Sequence, residues 1–216
     1  MFHQALRSLP AVISSLFLLT ACFSAETTIT FQSDENVKIK TALILERELV
    51  ALADADPESG GFCQAEGEIR EDVAKGISCA MEESMPLSTA LQGSQTLAFG
   101  GQTEQAGAEG QDLSYSLTKQ NDGSYLIRFD LQALKDAVNE QALGDEVASA
   151  EELEQVKALV MALFADSAFA LRVVAPNIIS TNGTMPDGNT AEFTFALTDI
   201  FDEFVVPDSF DVTFRL

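Results

Sequence analysis

The chain has 216 residues, 34 of them acidic and 12 basic, so its formal net charge at pH 7 is −22. This charge excludes nucleic acid as a natural partner, because the phosphate backbone carries the same sign. With 46% hydrophobic and 21% charged residues, the composition is that of a folded protein and excludes disorder throughout.

The first 21 residues have the pattern of a bacterial lipoprotein leader. Arg7 precedes an apolar run over residues 9–19, which is too short to span a hydrocarbon layer of about 30 Å as a helix. The run ends in Leu19-Thr20-Ala21-Cys22, which resembles the lipobox cleaved before its cysteine. We therefore predict a signal peptide over residues 1–21, a lipid on Cys22 and a cell-envelope protein facing the periplasm or exterior. Secretion with cleavage elsewhere and an uncleaved anchor are the alternatives.

The mature chain is more acidic still. Arg7 is the only charged residue of the leader, so its removal leaves 11 basic residues and a net charge of −23. Such a surface is explained either by solubility in a saline habitat or by a binding face for a cationic partner. The length of residues 22–216 suits a single domain.

Two cysteines remain after the lipidated one. Cys63 and Cys79 form an even pair in an oxidising compartment, which favours a disulfide over a redox or metal site. A metal site would need more ligands than two thiols, and the only histidine, His3, leaves with the leader. We predict neither a metal nor a cofactor.

The mature chain opens with two strand patterns. Residues 26–33 and 37–45 alternate polar and apolar side chains, which predicts two strands paired as a hairpin beside the anchor. From residue 46 to residue 53 the apolar positions take helical spacing, and this helix should end before Pro57.

The next segment is less regular. We predict a short helix over residues 63–73, a strand over 76–82 that carries Cys79, and another strand over 96–99. Residues 112–118 and 124–130 should form a hairpin, because Asp122-Gly123 supplies the positive φ that a tight turn needs. Residues 100–110, rich in glycine, are expected to be a surface loop.

Helices are expected in the middle of the chain and strands at its end. Two apolar stripes at helical spacing predict two longer helices within residues 131–166. Strand patterns follow at residues 168–174, 178–181, 190–198 and 210–214. The predicted fold class is α+β, in which N- and C-terminal strands form an antiparallel sheet and the central helical insertion packs on it.

One stretch resembles a known family. Leu171 to Gly183 combines a strand, a proline break and an Asn-Gly turn, and an aromatic strand follows it. Together with the lipobox and the cysteine pair, this pattern is similar to the LppM-type domain of bacterial lipoproteins. The resemblance covers most of residues 22–216. It implies an envelope protein that contacts lipids or glycolipids, although Phe193 stands where such domains often have tryptophan.

Catalysis is not expected. A mature chain without histidine has no Ser-His-Asp triad and no Cys-His pair, and no phosphate-binding glycine loop is present. A carboxylate enzyme is the remaining catalytic alternative.

Two acidic clusters have alternative interpretations. Asp54, Asp56 and Glu58 have the spacing of a calcium loop, but Pro57 and Ser59 depart from that pattern, which favours a solvated loop. The acids of residues 199–208 alternate with apolar side chains and mark either a polar loop docked on the core or an interaction face.

The functional prediction is a lipid-anchored, non-enzymatic envelope protein. Its partners are the membrane, through the lipid on Cys22, and a lipid or apolar ligand held between the sheet and the helices, or an envelope protein. The alternative is a structural or assembly lipoprotein that recognises a protein partner through its acidic surface.

Overall fold

The computed structural model describes residues 23–32, 35–47, 50–51, 54, 62–63, 67–74, 76–98, 112–132, 135–136, 158, 161, 167–196, 198–199 and 206–216. Most of them lie in strands. In chain order the elements are β1 (Phe23–Phe31), β2 (Asn36–Leu45), β3 (Ile69–Val73), β4 (Gly76–Pro86), α1 (Leu87–Ala90), β5 (Ser94–Ala98), β6 (Asp112–Lys119), β7 (Tyr125–Asp130), β8 (Ala168–Val174), β9 (Asn177–Thr181), β10 (Thr184–Asp187), β11 (Thr190–Ala196) and β12 (Ser209–Arg215).

The strands form two sheets. The first has seven strands in the order β10-β11-β8-β1-β2-β4-β3, and the second has five in the order β5-β6-β7-β12-β9. Neighbouring strands are antiparallel except β1 and β8, which run parallel, so the seven-stranded sheet is mixed. β1 is the central strand of this sheet, with three strands on either side.

The core lies between the inner faces of the two sheets. β8 and β12 alternate buried and more exposed residues, because successive side chains point to opposite faces. Phenylalanine pairs join the sheets: the ring centroids of Phe31 and Phe214 are 4.3 Å apart, and those of Phe193 and Phe210 are 5.6 Å apart. The chain contains 15 phenylalanines, and this packing employs many of them as core rather than as a binding surface.

Both predicted hairpins are confirmed. β1 and β2 pair from Phe23 opposite Leu45 to Phe31 opposite Val37. β6 and β7 are joined by a turn at Gly123, where φ is +82°, a conformation that glycine adopts without steric cost. The strands predicted around residues 76–82, 96–99, 168–174, 178–181, 190–198 and 210–214 are also present, with somewhat different bounds.

The predicted fold class, α+β with one antiparallel sheet and two longer helices, is wrong. A second sheet supplies the opposite layer, because β5, β6, β7, β9 and β12 each carry an apolar face that must be buried. The one helix described along its whole length is α1, a short helix whose Leu87 and Ala90 are buried. The predicted helical insertion, residues 131–166, lies almost wholly outside the described residues, although residues 131, 132, 135, 136, 158 and 161 are helical.

The short helix predicted over residues 63–73 is also wrong where the chain is described. Its last part is strand β3, which pairs with β4 from Ile69 opposite Ala80 to Val73 opposite Gly76. β3 is an edge strand exposed on both faces, so its sequence has no period-2 alternation to reveal it. Of the predicted helix over residues 46–53, residues 46, 47, 50 and 51 are described, and the last three are helical.

The proline break after β8 moves the chain from one sheet to the other. β8 belongs to the seven-stranded sheet, but β9, which begins one residue after Pro176, pairs with β12 in the five-stranded sheet. The chain then returns through Gly183 to β10 and β11. Among the described residues, no helix has the length and hydropathy needed to cross a bilayer.

Candidate functional site

The predicted anchor, Cys22, directly precedes the central strand of the seven-stranded sheet in the sequence. Residues 1–22 lie outside the described residues, so cleavage and lipidation of Cys22 remain predictions. Phe23, however, is already the first residue of the central strand β1. Since consecutive Cα atoms are about 3.8 Å apart, no linker separates Cys22 from the folded domain.

An ion network crosses the outer face of the seven-stranded sheet near this strand. Arg172 on β8 donates through Nε to Glu192 on β11, at 2.6 Å, and through Nη1 to Glu26 on β1. The hydrogen bond from Arg172 holds the pKa of Glu192 below its usual value, and the same bond raises the pKa of Arg172. One guanidinium thus ties three adjacent strands together.

The other described cations are also neutralised. Apart from Lys119, which lies over the ring of Tyr125, every Lys and Arg of the described residues has a carboxylate oxygen within 4.0 Å. Hydrogen bonds from Arg128 and Lys38 lower the pKa values of Asp211 and Glu82 respectively. Among the described cations, Lys119 is therefore the one without a carboxylate partner.

Lys135 has the most buried side chain among these paired cations, although its partner Asp208 is exposed. Its side chain is 7% exposed, and its Nζ lies 2.8 Å from a carboxylate oxygen of Asp208 and donates to the carbonyl of Val206. The carbonyl of Asp208 also accepts the backbone N–H groups of Leu131 and Gln132. These bonds fasten the helical residues after β7 to the segment that leads into β12.

Two hydroxyl groups are buried in the core without a hydrogen-bond partner among the described residues: Thr27 Oγ1 and Tyr115 Oη. Thr27 is 0% exposed and Tyr115 1% exposed. Burial of the phenol is the main cause that raises the pKa of Tyr115 to about 12, and the negative charge of Glu83 is the second cause. Buried polar groups in native proteins are usually satisfied, so these two are the unusual groups of the interior.

The cysteine pair is joined as the sequence predicts. The structure contains a disulfide between Cys63 and Cys79, whose Cα atoms are 5.3 Å apart and whose sequence separation is 16. Cys79 is buried on β4, and Cys63 has a φ of +65°, uncommon for a residue other than glycine. The bond fixes the segment before β3 against the seven-stranded sheet.

The acidic clusters are partly described. Asp54 is bound to Arg70, with 2.8 Å between Oδ2 and Nη2, and its other oxygen accepts the N–H of Phe62; Asp56 and Glu58 lie outside the described residues. Asp199 accepts the N–H of Ala196, and Asp208 is paired as above. Within the described part of the chain, no group of three or more His, Cys, Asp or Glu side chains is placed to hold a metal ion.

Sequence reasoning missed the Arg172 network and the two orphaned hydroxyls. The outward position of Arg172 on an alternating strand was readable, but its partners lie 146 and 20 residues away and became neighbours only through strand pairing. No sequence signal distinguishes Thr27 or Tyr115 from other strand residues.

The comparisons with known proteins are few. No protein-family model matches the chain, and no curated protein matches it in sequence. Among solved structures, it is similar to the NMR structure of the folded domain of LppM from Mycobacterium tuberculosis, with 12% identity and a TM-score of 0.45. The alignment covers 89% of this chain and 89% of that one.

Proposed function

We propose that this chain is a lipid-anchored protein of the cell envelope that acts by binding, without catalysis. The supporting pattern is the leader over residues 1–21 with Leu19-Thr20-Ala21-Cys22 at its end, followed directly by the first strand of the folded domain. A mature chain without histidine also lacks the residue on which most nucleophilic and general-base sites depend.

The partner that this surface fits best is a cationic envelope protein. The observation that carries this choice is the pairing of the described cations: all but Lys119 already lie within 4.0 Å of a carboxylate, and the mature chain as a whole has a net charge of −23. An anionic surface speeds association with a positively charged partner and rejects anionic ones. Most of the described phenylalanines pack in or against the hydrophobic core, so their number is not evidence for an apolar groove.

The anchor is tested by intact-mass measurement on protein extracted gently from its native membrane. We expect acyl chains on Cys22 and a loss of two hydrogens for the Cys63–Cys79 disulfide. In the Cys22→Ser variant, which has no thiol to acylate, the acyl mass should be absent. A wild-type Cys22 without acyl chains would contradict the proposed anchor.

The partner is tested by crosslinking in intact cells at two ionic strengths. We expect a specific basic protein to be captured at low salt and lost at high salt, because charges separated by more than a Debye length of about 8 Å are screened near physiological ionic strength. Capture that is indifferent to salt would argue against recognition by charge.

Binding of a lipid or other apolar ligand is the second candidate. The observation that favours it is the pair of buried hydroxyls, Thr27 and Tyr115, which would be satisfied by the polar group of a molecule held between the sheets. The resemblance of residues 171–183 to LppM-type domains implies the same class of ligand. We expect co-purifying lipid in the wild type and less of it in Tyr115→Phe, with Tyr125→Phe as the matched control.

A further inference from the structure

The strands of the seven-stranded sheet bring several chain segments to the level of Phe23. Phe23 at the start of β1 pairs with Leu45 at the end of β2. Ser24 pairs with Ala168 at the start of β8, and Ala168 pairs with Ala196 at the end of β11, so these four strands all begin or end at this level. On the other side, Leu45 pairs with Ile77, beside the turn at Ala74 that joins β3 to β4. We call this end of the sheet, marked by Leu45, Ala74, Ala168 and Ala196, the proximal end.

We propose that the proximal end lies against the lipid head groups and that the strands of this sheet run away from the membrane. This inference rests on the proposed function, because it requires the lipid on Cys22. It adds an interaction surface and its partner, a bilayer surface, to an anchor that by itself would permit any orientation.

The first argument is the lack of a linker. A flexible linker of ten residues would let the domain wander by roughly 18 Å, taking about 5–6 Å times the square root of its length. Here the lipidated residue is joined by one peptide bond to a hydrogen-bonded strand residue. The proximal end must therefore stay within a few Å of the surface in which the acyl chains are inserted.

The second argument is the central position of β1. If β1 were an edge strand, the sheet could lie on its side with the anchor still inserted. With three strands on each side, the anchor is attached beneath the middle of the sheet, and tilting it far would push neighbouring strand ends into the head groups.

The third argument concerns the side chains. The proximal end combines small or apolar side chains at Leu45, Ala168 and Ala196, which are half-buried, and at Ala74, which is exposed, with the Arg47–Asp72 ion pair and the carboxylates of Glu46 and Asp199. The mature chain as a whole has a net charge of −23, so laying the acidic sides of the domain on an anionic bilayer is opposed by repulsion. In the upright orientation the described carboxylates near the bilayer are those of the proximal end, and one of them, Asp72, is paired with Arg47.

Single-tryptophan variants test the orientation cleanly, because the chain contains no tryptophan. Ala74→Trp reports from the exposed turn at the proximal end. Ser88→Trp reports from the exposed face of α1, which follows the last residue of β4 at the opposite end. A nine-residue strand such as β1 is about 30 Å long, so the two probes differ strongly in height.

The lipidated full-length variants are reconstituted in vesicles of phosphatidylethanolamine and phosphatidylglycerol that contain a dansyl-labelled lipid. We expect at least a several-fold higher energy-transfer efficiency from Ala74→Trp than from Ser88→Trp. Ala51→Trp and Gln32→Trp, both at exposed positions near the same two ends, repeat the comparison should either first variant fail to fold.

Equal transfer from the two ends, or higher transfer from Ser88→Trp, would overturn the orientation. The mass of each protein is measured before reconstitution. Unmodified Cys22 would refute the proposed anchor, whereas acylated Cys22 with equal transfer would refute only the orientation.

Discussion

Arg172 and Glu192 stand directly opposite each other on β8 and β11, and the Nε of the arginine lies 2.6 Å from a carboxylate oxygen of the glutamate. The same guanidinium also binds Glu26 on the other side. Because β1 is far in sequence from β8 and β11, this network joins the N-terminal hairpin to the C-terminal strands, while the Lys38–Glu82 and Lys40–Glu71 pairs link β2 to β4 and β3 in the same sheet.

The Glu192→Gln variant should be less stable than the wild type at pH 7 by less than about 1 kcal/mol, since both side chains are partly exposed and solvent screens the pair. The pKa of Glu192 is lowered by Arg172, so its contribution is present above the unfolded pKa of about 4.3 and is lost as the pH falls through the folded pKa. Urea unfolding at pH 7 and at about pH 3 measures the difference. Glu35→Gln, which removes an exposed acid, is the control; an equal effect of both variants would contradict the prediction.

The two tyrosines allow a direct test of the interior. In the Tyr125→Phe variant, Tyr115 is the only tyrosine, and its tyrosinate absorbance should appear near pH 12 rather than near pH 10, because burial raises the pKa to about 12. A phenol that stays neutral in the folded state and ionises in the unfolded state makes stability fall as the pH rises from about 10 to 12. A midpoint near 10 in protein that is still folded would contradict the burial of Tyr115.

Replacing Tyr115 by phenylalanine should not destabilise the protein. The hydroxyl is buried without a partner among the described residues, and such a group costs about 1–3 kcal/mol. We expect the free energy of unfolding of Tyr115→Phe to equal or exceed that of the wild type. A clear loss of stability in urea unfolding would mean that the hydroxyl has a partner in the native protein.

The disulfide should matter for stability more than for the architecture. The Cys63→Ala, Cys79→Ala double variant should lose about 3 kcal/mol, the loop-closure effect for a loop of this length. Adding a reductant should destabilise the wild type by a similar amount and leave the double variant unchanged. Equal unfolding midpoints of the oxidised wild type and the double variant would refute this contribution.

Gly183 lies where the chain passes from the five-stranded sheet to the seven-stranded sheet. A Cβ at this position would meet the backbone of Glu192 and the ring of Phe210, so Gly183→Ala should cost about 1–3 kcal/mol through overpacking. Gly188 in the turn between β10 and β11 has open space around the same atom, and Gly188→Ala is the matched control. Thermal unfolding of the pair checks the prediction, and comparable midpoints would contradict it.

The sequence by itself determined which segments are strands with one buried face. Alternation identified β1, β2, β11 and β12, and a nearly continuous apolar run identified β8. The Asp-Gly turn identified the β6–β7 hairpin, and the even cysteine pair identified the disulfide. These features depend on neighbouring residues or on the number of cysteines, so they could be predicted. Alternation failed for β3, an edge strand whose side chains are exposed on both faces.

Only the tertiary structure decided which strands share a sheet. The period-2 pattern shows that a face is apolar, but it does not show what covers that face, and the helical prediction supplied the wrong second layer. The parallel pairing of β1 with β8, the change of sheet after Pro176 and the partners of Arg172 all depend on register between segments far apart in the chain. Backbone pairing and packing of the whole chain select that register, and no single stretch of sequence carries it.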